Sequence, residues 1–378
     1  MNAGPWLPVP PDGYGGIENV VATLVPELRR RGVRVVLCTV GDSTLEADRR
    51  VVTFDRGQFA SLGGPYNQVS GIAHAHMQHV VRALRADPSI DLVHDHLEVV
   101  GLSTLALLGD QAPPVLHTLH WDLHKHPHFY AGFDGAGRVF VNGVSQVQLS
   151  RAPAALRAHA VGAVPLATTV PESLPARPPG RYFLTLGRFT PDKGQDIAAR
   201  ACRQLGFQLR MAGPVGPAAD PDELFGALAD RGDLRQFADV VFYLESVRGL
   251  EDGESIRWIG TVDGRQKREL LLGARALLFP VRWEEPGGTA VIEALAAGTP
   301  VIGMRRGVLP SLVDHGVTGF LADTEEEFTG YLTRVDELVP AACHRAAQQR
   351  FSPVAMADRY MALYREVLAR SGRLAAVV

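Results

Sequence analysis

FPVRWEEPGGTAVIEALAAGTPV (residues 279–301) reads as the end of one strand, a loop, a helix, a helix cap and the start of the next strand. Residues 276–281 form an apolar run of strand length, broken by Glu284, Glu285, Pro286, Gly287 and Gly288. TAVIEALAA then carries helical apolar spacing as far as Gly298, a residue type that commonly closes helices, and VIGM opens a further buried strand after Pro300. Folding alone does not explain two features. Glu285 and Glu293 stand eight residues apart, one in the loop and one in the helix. Between them, Gly287, Gly288 and Thr289 leave backbone N–H groups bare at a helix N-terminus, which makes an anion site. Glu285 would repel a lone phosphate, so the combination points to a ligand with phosphate at one end and hydroxyls at the other.

Working outward, the chain alternates strands with helices, the pattern of doubly wound α/β domains. A Pro/Gly-rich start, residues 1–16, precedes an amphipathic helix over 17–31 and a strand over 33–40. Strand-like runs recur at 51–54, 92–94, 115–117 and 139–144, with helices at 71–85, 99–108 and, interrupted by Pro153, 145–159. VPLATTVPESLPARPPGR, residues 164–181, holds five prolines and marks an interdomain connector. A second alternating unit starts at Tyr182. It carries a helix over 195–205 and an irregular, acidic insertion over 214–255 with a helix expected at 223–229, and is expected to become helical and acidic after Phe320, ending in a helix over 353–370. The resulting division is a first domain over 1–165, a linker over 166–181, a second domain over 182–350 and a terminal helix within 351–378. The first domain lacks the strand that should deliver the chain to its Gly-rich loop. The expectation is that the printed start lies downstream of the true one.

Bulk properties narrow the function. A chain of 378 residues exceeds one comfortable core, and a net charge of −3 with 21% charged residues offers no basic face for nucleic acid. The run Arg29, Arg30, Arg31 is expected to end a solvated helix, with membrane-surface contact the weaker reading. Cys38, Cys202 and Cys343 show neither disulfide nor zinc spacing, and no spanning segment or leader is evident, which suits a reducing cytoplasm.

The candidate chemistry lies in loops. GYGG (13–16) before a helix offers N–H groups to a phosphate, or forms a plain tight turn, since Glu18 stands where a dinucleotide fingerprint needs its third glycine. LGRFTPDKG (186–194) places Arg188 and Lys193 after a strand, either as a diphosphate clamp or as a solvated loop. HTLHWDLHKHPH (117–128) is rich in histidine but lacks metal-ligand spacing, and His120 stands at its strand end. His74, His76 and His79 are expected to be partly exposed. Asp95 and His96 either hold loops or take part in chemistry. Glu293, crowded by apolar neighbours, needs a hydrogen-bond partner.

In this order, GYGG, TLH, LGRFTPDKG, E-x₇-E with ALAAGTPVI, GVTGFLAD and the closing FSPVAMADRYMALYREVL resemble the retaining glycosyltransferases of family 4, of GT-B fold, over nearly the whole chain. The resemblance implies two Rossmann-like domains facing across a cleft. The first would bind the acceptor and the second a nucleotide-sugar donor, and the last helix would return to the first domain. It implies no cofactor and no metal. Arg188 and Lys193 would hold the diphosphate, Glu293 the ribose, and Glu285 the sugar. Gly287, Gly288 and Thr289 would offer N–H groups. His120 would contact the sugar, Gly15 and Gly16 would close on the diphosphate, and Ile259 and Val262 would lie near the base. Retention without an enzymic nucleophile implies same-face attack, with the departing phosphate taking the acceptor's proton. UDP-glucose is favoured over GDP-mannose. The acceptor is a small molecule, saccharide or lipid, and peripheral membrane contact is allowed.

The sequence departs from the family at Gly287, where Phe is common, and at Ser311, where an acidic residue often stands. The competing functions are a nucleotide-sugar epimerase, a phosphorylase (although Lys125, Lys193 and Lys267 offer no persuasive pyridoxal site) and a catalytically weak binding subunit.

Overall fold

The computed structural model describes residues 1–13, 15–174, 180–231 and 233–372. Tyr14 of the Gly-rich loop, residues 175–179 of the expected connector and residues 373–378 lie outside the described residues. The chain divides into two compact units, Met1–Ala167 with Pro353–Val378, and Thr168–Ser352.

In the first unit, strands β1 (Val36–Thr39), β2 (Arg49–Val52), β3 (Val93–Asp95), β4 (Val115–Leu119), β5 (Val139–Gly143) and β6 (Ala160–Ala163) are parallel. The expected absence of a first strand needs correction. Among the described residues no strand of ordinary length precedes the Gly-rich loop, yet Asn2 bridges Cys38 on one side and Asp95 on the other, both in parallel sense. The N–H of Asn2 donates to the His94 carbonyl at 2.8 Å, that of Ala3 to Cys38 at 3.0 Å, and that of His96 back to Asn2 at 3.1 Å. The spatial order is therefore β2, β1, residues 1–3, β3, β4, β5, β6. Three residues flanked by strands need only backbone groups in register, so no apolar run announces them.

The apolar stripe of helix Gly16–Arg30 (Val20, Val21, Leu24, Leu28) shares one core cluster with Met356, Tyr360, Tyr364 and Val367 of helix Pro353–Arg370. Two buried tyrosines of that terminal helix reach polar groups on the sheet. Tyr364 Oη lies 2.7 Å from His94 Nδ1, and Tyr360 Oη 3.2 Å from Thr118 Oγ1. The basic run is not a bare solvated face. Arg31 pairs with Asp358 at 2.7 Å and Glu27 at 2.8 Å, which staples the first helix to the last. His76 is also corrected, because it is fully buried between Thr53 Oγ1 at 2.8 Å and Asn2 Oδ1 at 2.6 Å.

The second unit is a six-stranded parallel sheet of β7 (Tyr182–Leu186), β8 (Leu209–Ala212), β9 (Ile256–Trp258), β10 (Ala274–Phe279), β11 (Val301–Met304) and β12 (Gly319–Ala322), in the order β12-β11-β10-β7-β8-β9. The chain winds outward from β7 to β9, then returns to lay β10 on the other side of β7. Strand order reverses there, the place where open α/β sheets leave a crevice at their carboxyl ends.

Two elements add to the expectations in this unit. Gly319–Ala322 is a buried strand, too short for its period to show, and the chain then turns helical and acidic as expected, with Glu325, Glu326 and Glu327 opening helix Glu325–Leu332. The insertion carries its expected helix, within Pro221–Arg231, and is also helical over Ala238–Phe242 and a π-helical turn at Tyr243–Val247. Its Val240, Phe242, Tyr243 and Val247 join Phe189 and Trp258 in the main core cluster.

Replacing Tyr364 with Phe keeps the ring but strands His94 Nδ1 in the core. This should lower unfolding free energy by about 1–3 kcal/mol, read as a lower urea midpoint at unchanged slope.

Candidate active site

The loop after β7 runs through Gly187, Arg188, Phe189 and Thr190 into a tight turn, Pro191–Lys193, and the left-handed Gly194 (φ 70°) caps helix Gln195–Leu205. Phe189 is buried against Tyr243 and Trp258 and roots the loop, while Arg188 stays exposed. Gly194 must be glycine for a second reason, since a Cβ there would collide with the Pro280 carbonyl. The loop after β10 therefore lies directly against it.

This apposition brings Lys193 and Glu285 together. Lys193 Nζ donates to Glu285 Oε2 at 2.6 Å and sits 5.0 Å from the Trp283 ring centroid. Glu285 is only 8% exposed. Its Oε1 accepts the Gly288 N–H at 3.2 Å, and its backbone carbonyl accepts the Val308 N–H at 2.8 Å. Left-handed Gly288 (φ 64°) opens helix Thr289–Ala296. Among the described residues, the N–H groups of exposed Thr289 and of Ala290 have no acceptor. Gly287 is buried beside them.

Glu293 has the partner its setting demanded, Lys267 Nζ at 2.6 Å. Ile259 and Val262 are half-buried in the segment that leaves β9, just before Asp263 caps helix Gly264–Gly273. All these side chains stand at the carboxyl end of one sheet. Reading residue by residue missed Asp196, Arg282, Trp283 and Lys267. An acid in the first turn after KG and a basic residue shortly before Glu285 were the available signals.

In the first unit, half-buried His120 follows β4, with Nε2 2.8 Å from His96 Nδ1. Burial, reinforced by neighbouring histidines, lowers His120 to about 3 and holds His94 and His96 well below the ordinary imidazole value. These rings are neutral at pH 7. Asp95 is a structural hub, accepting from Asn2 Nδ2 at 2.6 Å and lying 2.5 Å from His117 Nδ1. A Cβ on Gly101 would run into its carboxyl group. Among the described residues, no three His, Cys, Asp or Glu side chains cluster as metal ligands would.

Gly15 (φ 153°) precedes helix Gly16–Arg30, and a Cβ on it would meet Pro11 at 2.7 Å and Glu18 Oε2 at 3.2 Å. Gly16 faces open space. Glu18 is buried under this loop, and desolvation raises it to about 7, with partial relief from the N–H groups of Glu18 and Leu7. A carboxyl raised above its unfolded value binds more protons folded than unfolded, so stability is lost as pH rises from about 4.5 through about 7. Urea denaturation should therefore show Glu18→Gln gaining on the wild type between pH 5 and pH 8, by on the order of a few kcal/mol. A constant difference across that range would contradict the assignment.

Residues 14–161 match the family described as Glycosyltransferase Family 4, and residues 168–342 the family described as Glycosyl transferases group 1. A D-inositol 3-phosphate glycosyltransferase of Saccharomonospora viridis is 27% identical, over 94% of this chain and 90% of that one. A glycosyltransferase involved in avilamycin A biosynthesis superposes with a TM-score of 0.59 at 23% identity, over 97% of each chain. Anabaena HepE in complex with UDP-glucose gives a TM-score of 0.61 at 18% identity, over 94% of this chain and 97% of that one. Two Rossmann-like units, family matches along both, and relatives that transfer glycosyl groups lead to one assignment: the chain belongs to glycosyltransferase family 4, with the GT-B fold.

Proposed function

We propose that the protein is a retaining hexosyltransferase that uses a nucleotide-sugar donor, UDP-glucose before GDP-mannose, and needs no metal ion. The observation that carries this reading is the Lys193–Glu285 pair beside a helix N-terminus and Arg188, at the strand-order reversal of the second unit. This arrangement suits a ligand that is anionic at one end and rich in hydroxyls at the other. The HepE structures with UDP and UDP-glucose add support for a uridine donor.

In this mechanism Arg188, Lys193 and the N–H groups at Thr289 and Ala290 stabilise charge that builds on the leaving diphosphate. Glu285 takes sugar hydroxyls. Glu293, oriented by Lys267, takes the ribose hydroxyls, and the base rests near Ile259 and Val262. From the first unit, His120 is assigned to the sugar, and Gly15 and Gly16 to the diphosphate. The bond from the anomeric carbon to the phosphate oxygen breaks as the acceptor oxygen bonds to the same face of that carbon. The acceptor's proton passes to the departing phosphate oxygen, so nucleoside diphosphate and glycoside are the products.

The name of the Saccharomonospora relative makes an inositol phosphate the first acceptor to try. Among the described residues no helix is long and apolar enough to cross a membrane. The cytoplasm, where nucleotide sugars are made, is the compartment we assign, with peripheral membrane contact allowed.

A thermal-shift panel of nucleotides and nucleotide sugars should single out one donor by the largest rise in midpoint. With that donor, Glu285→Gln and Lys193→Ala should each reduce turnover by at least about tenfold while the fold survives. Unchanged rates in both variants would refute the site.

A further inference from the structure

Arg282 makes four contacts with the segment that carries Lys193. Its backbone N–H donates to the Asp192 carbonyl at 2.8 Å. Its guanidinium donates to the Pro191 carbonyl at 3.0 Å and grips both carboxylate oxygens of Asp196 at 2.7 Å each. Asp196 is 4% exposed, in the first turn of helix Gln195–Leu205, and also accepts from Arg200 at 2.8 Å. Arg200 in turn reaches Glu325 at 3.1 Å. Lys193 thus lies between residues tied down on both sides, at 191–192 and at 196. Arg282 itself lies just before Glu285, the residue Lys193 pairs with.

A solvent-exposed pair of this kind contributes little, and its loss would go unnoticed in catalysis. This one differs in three respects. The carboxylate is buried. The fork is bidentate, a geometry that lysine cannot copy. The two elements it joins are the loops bearing Lys193 and Glu285. Burial works to raise the Asp196 carboxyl, but hydrogen bonds from Arg282 and then Arg200 outweigh it and hold the group below its ordinary value, so it is anionic across the working range.

We propose that Asp196 and Arg282 are positioning residues that set the Lys193 ammonium against Glu285 and so aim it at the leaving diphosphate. The transfer step of this proposal rests on the functional reading above; the clamp itself does not. Neither residue touches the reacting atoms. A displacement of about 1 Å in a charge stabiliser is enough to cost rate, which is how a pair behind the site acts on chemistry.

Two measurements test it. The first needs no turnover: purified protein is treated briefly with acetic anhydride, and Lys193 labelling is read by peptide mass spectrometry against Lys125 as internal reference. Asp196→Asn and Arg282→Lys should each raise relative Lys193 labelling several-fold, because the amine leaves its carboxylate. The second is a double-mutant cycle with the donor found by thermal shift. Asp196→Asn should cut kcat about tenfold in the wild-type background with little change in donor KM, and by less than about twofold in a Lys193→Ala background. A general loss of structure would multiply equally in both backgrounds. Unchanged labelling, or equal losses in the two backgrounds, overturns the clamp. Raised labelling in a protein whose wild type transfers no sugar supports the clamp and overturns the functional reading instead. Should Asp196→Asn fail to fold, Arg282→Lys, which keeps the charge, carries both measurements.

Discussion

Parallel pairing of β7 with β10 is the constraint on which the second unit depends. Leu277 lies opposite Leu184 in that ladder, so the loops leaving the two strands become neighbours although Lys193 and Glu285 are 92 residues apart in the chain. Close approach demands a residue without a Cβ at Gly194, because the Pro280 carbonyl occupies that space. It also buries Glu285, which is tolerable only with partners for both carboxylate oxygens. Lys193 and the Gly288 N–H supply them. Gly307 completes the enclosure: a Cβ there would strike the backbone of Glu285, while its N–H donates to Glu284 Oε2 at 2.7 Å. The helix that starts at Thr289 is held by the same loop, so its free N–H groups are fixed relative to the ion pair.

The first unit answers a similar demand with nearly neutral chemistry. Its central position is filled by Asn2, whose side-chain amide links Asp95 to His76, and His76 to Thr53. His94 is satisfied by Thr118 and by Tyr364 from the terminal helix. Neutral imidazoles can sit this deep because each ring nitrogen finds a partner, whereas an imidazolium there would face desolvation and like-charged neighbours together. His120 thereby inherits a fixed setting from His96 rather than from solvent.

Periodic signals carried the sequence reading, and it failed where the determining contact is non-local. Helix Gln195–Leu205 and helix Pro353–Arg370 match their expected bounds, because capping residues and an apolar stripe are local. β12 and residues 1–3 were missed, since strand segments so short show no period and are recognised only by what pairs with them. Outside its expected helix, the insertion was read as irregular because its charges mask four core residues. At the site, LGRFTPDKG and the double-glutamate stretch could be read from residue type and strand-end position. That Lys193 answers Glu285, and Lys267 answers Glu293, could not, because strand order decides which loops meet.

That pairing changes how acid beside an anion site should be understood. Glu285 alone would oppose a phosphate. At 2.6 Å, however, Lys193 cancels its carboxylate locally, and Lys267 does the same for Glu293. Arg188, exposed and without an ion-pair partner among the described residues, stays uncompensated, as does the positive end of helix Thr289–Ala296. These positive groups favour an anion, while both carboxylates keep oxygen lone pairs that can accept hydroxyl protons. A diphosphate and a polyol on one ligand satisfy both halves of that arrangement, whereas an inorganic anion alone satisfies one. Gly287, buried and without a side chain, leaves backbone rather than an aromatic ring as the wall between the halves. In the proposed donor complex, discrimination among sugars would rest more on the hydrogen bonds of Glu285 than on shape.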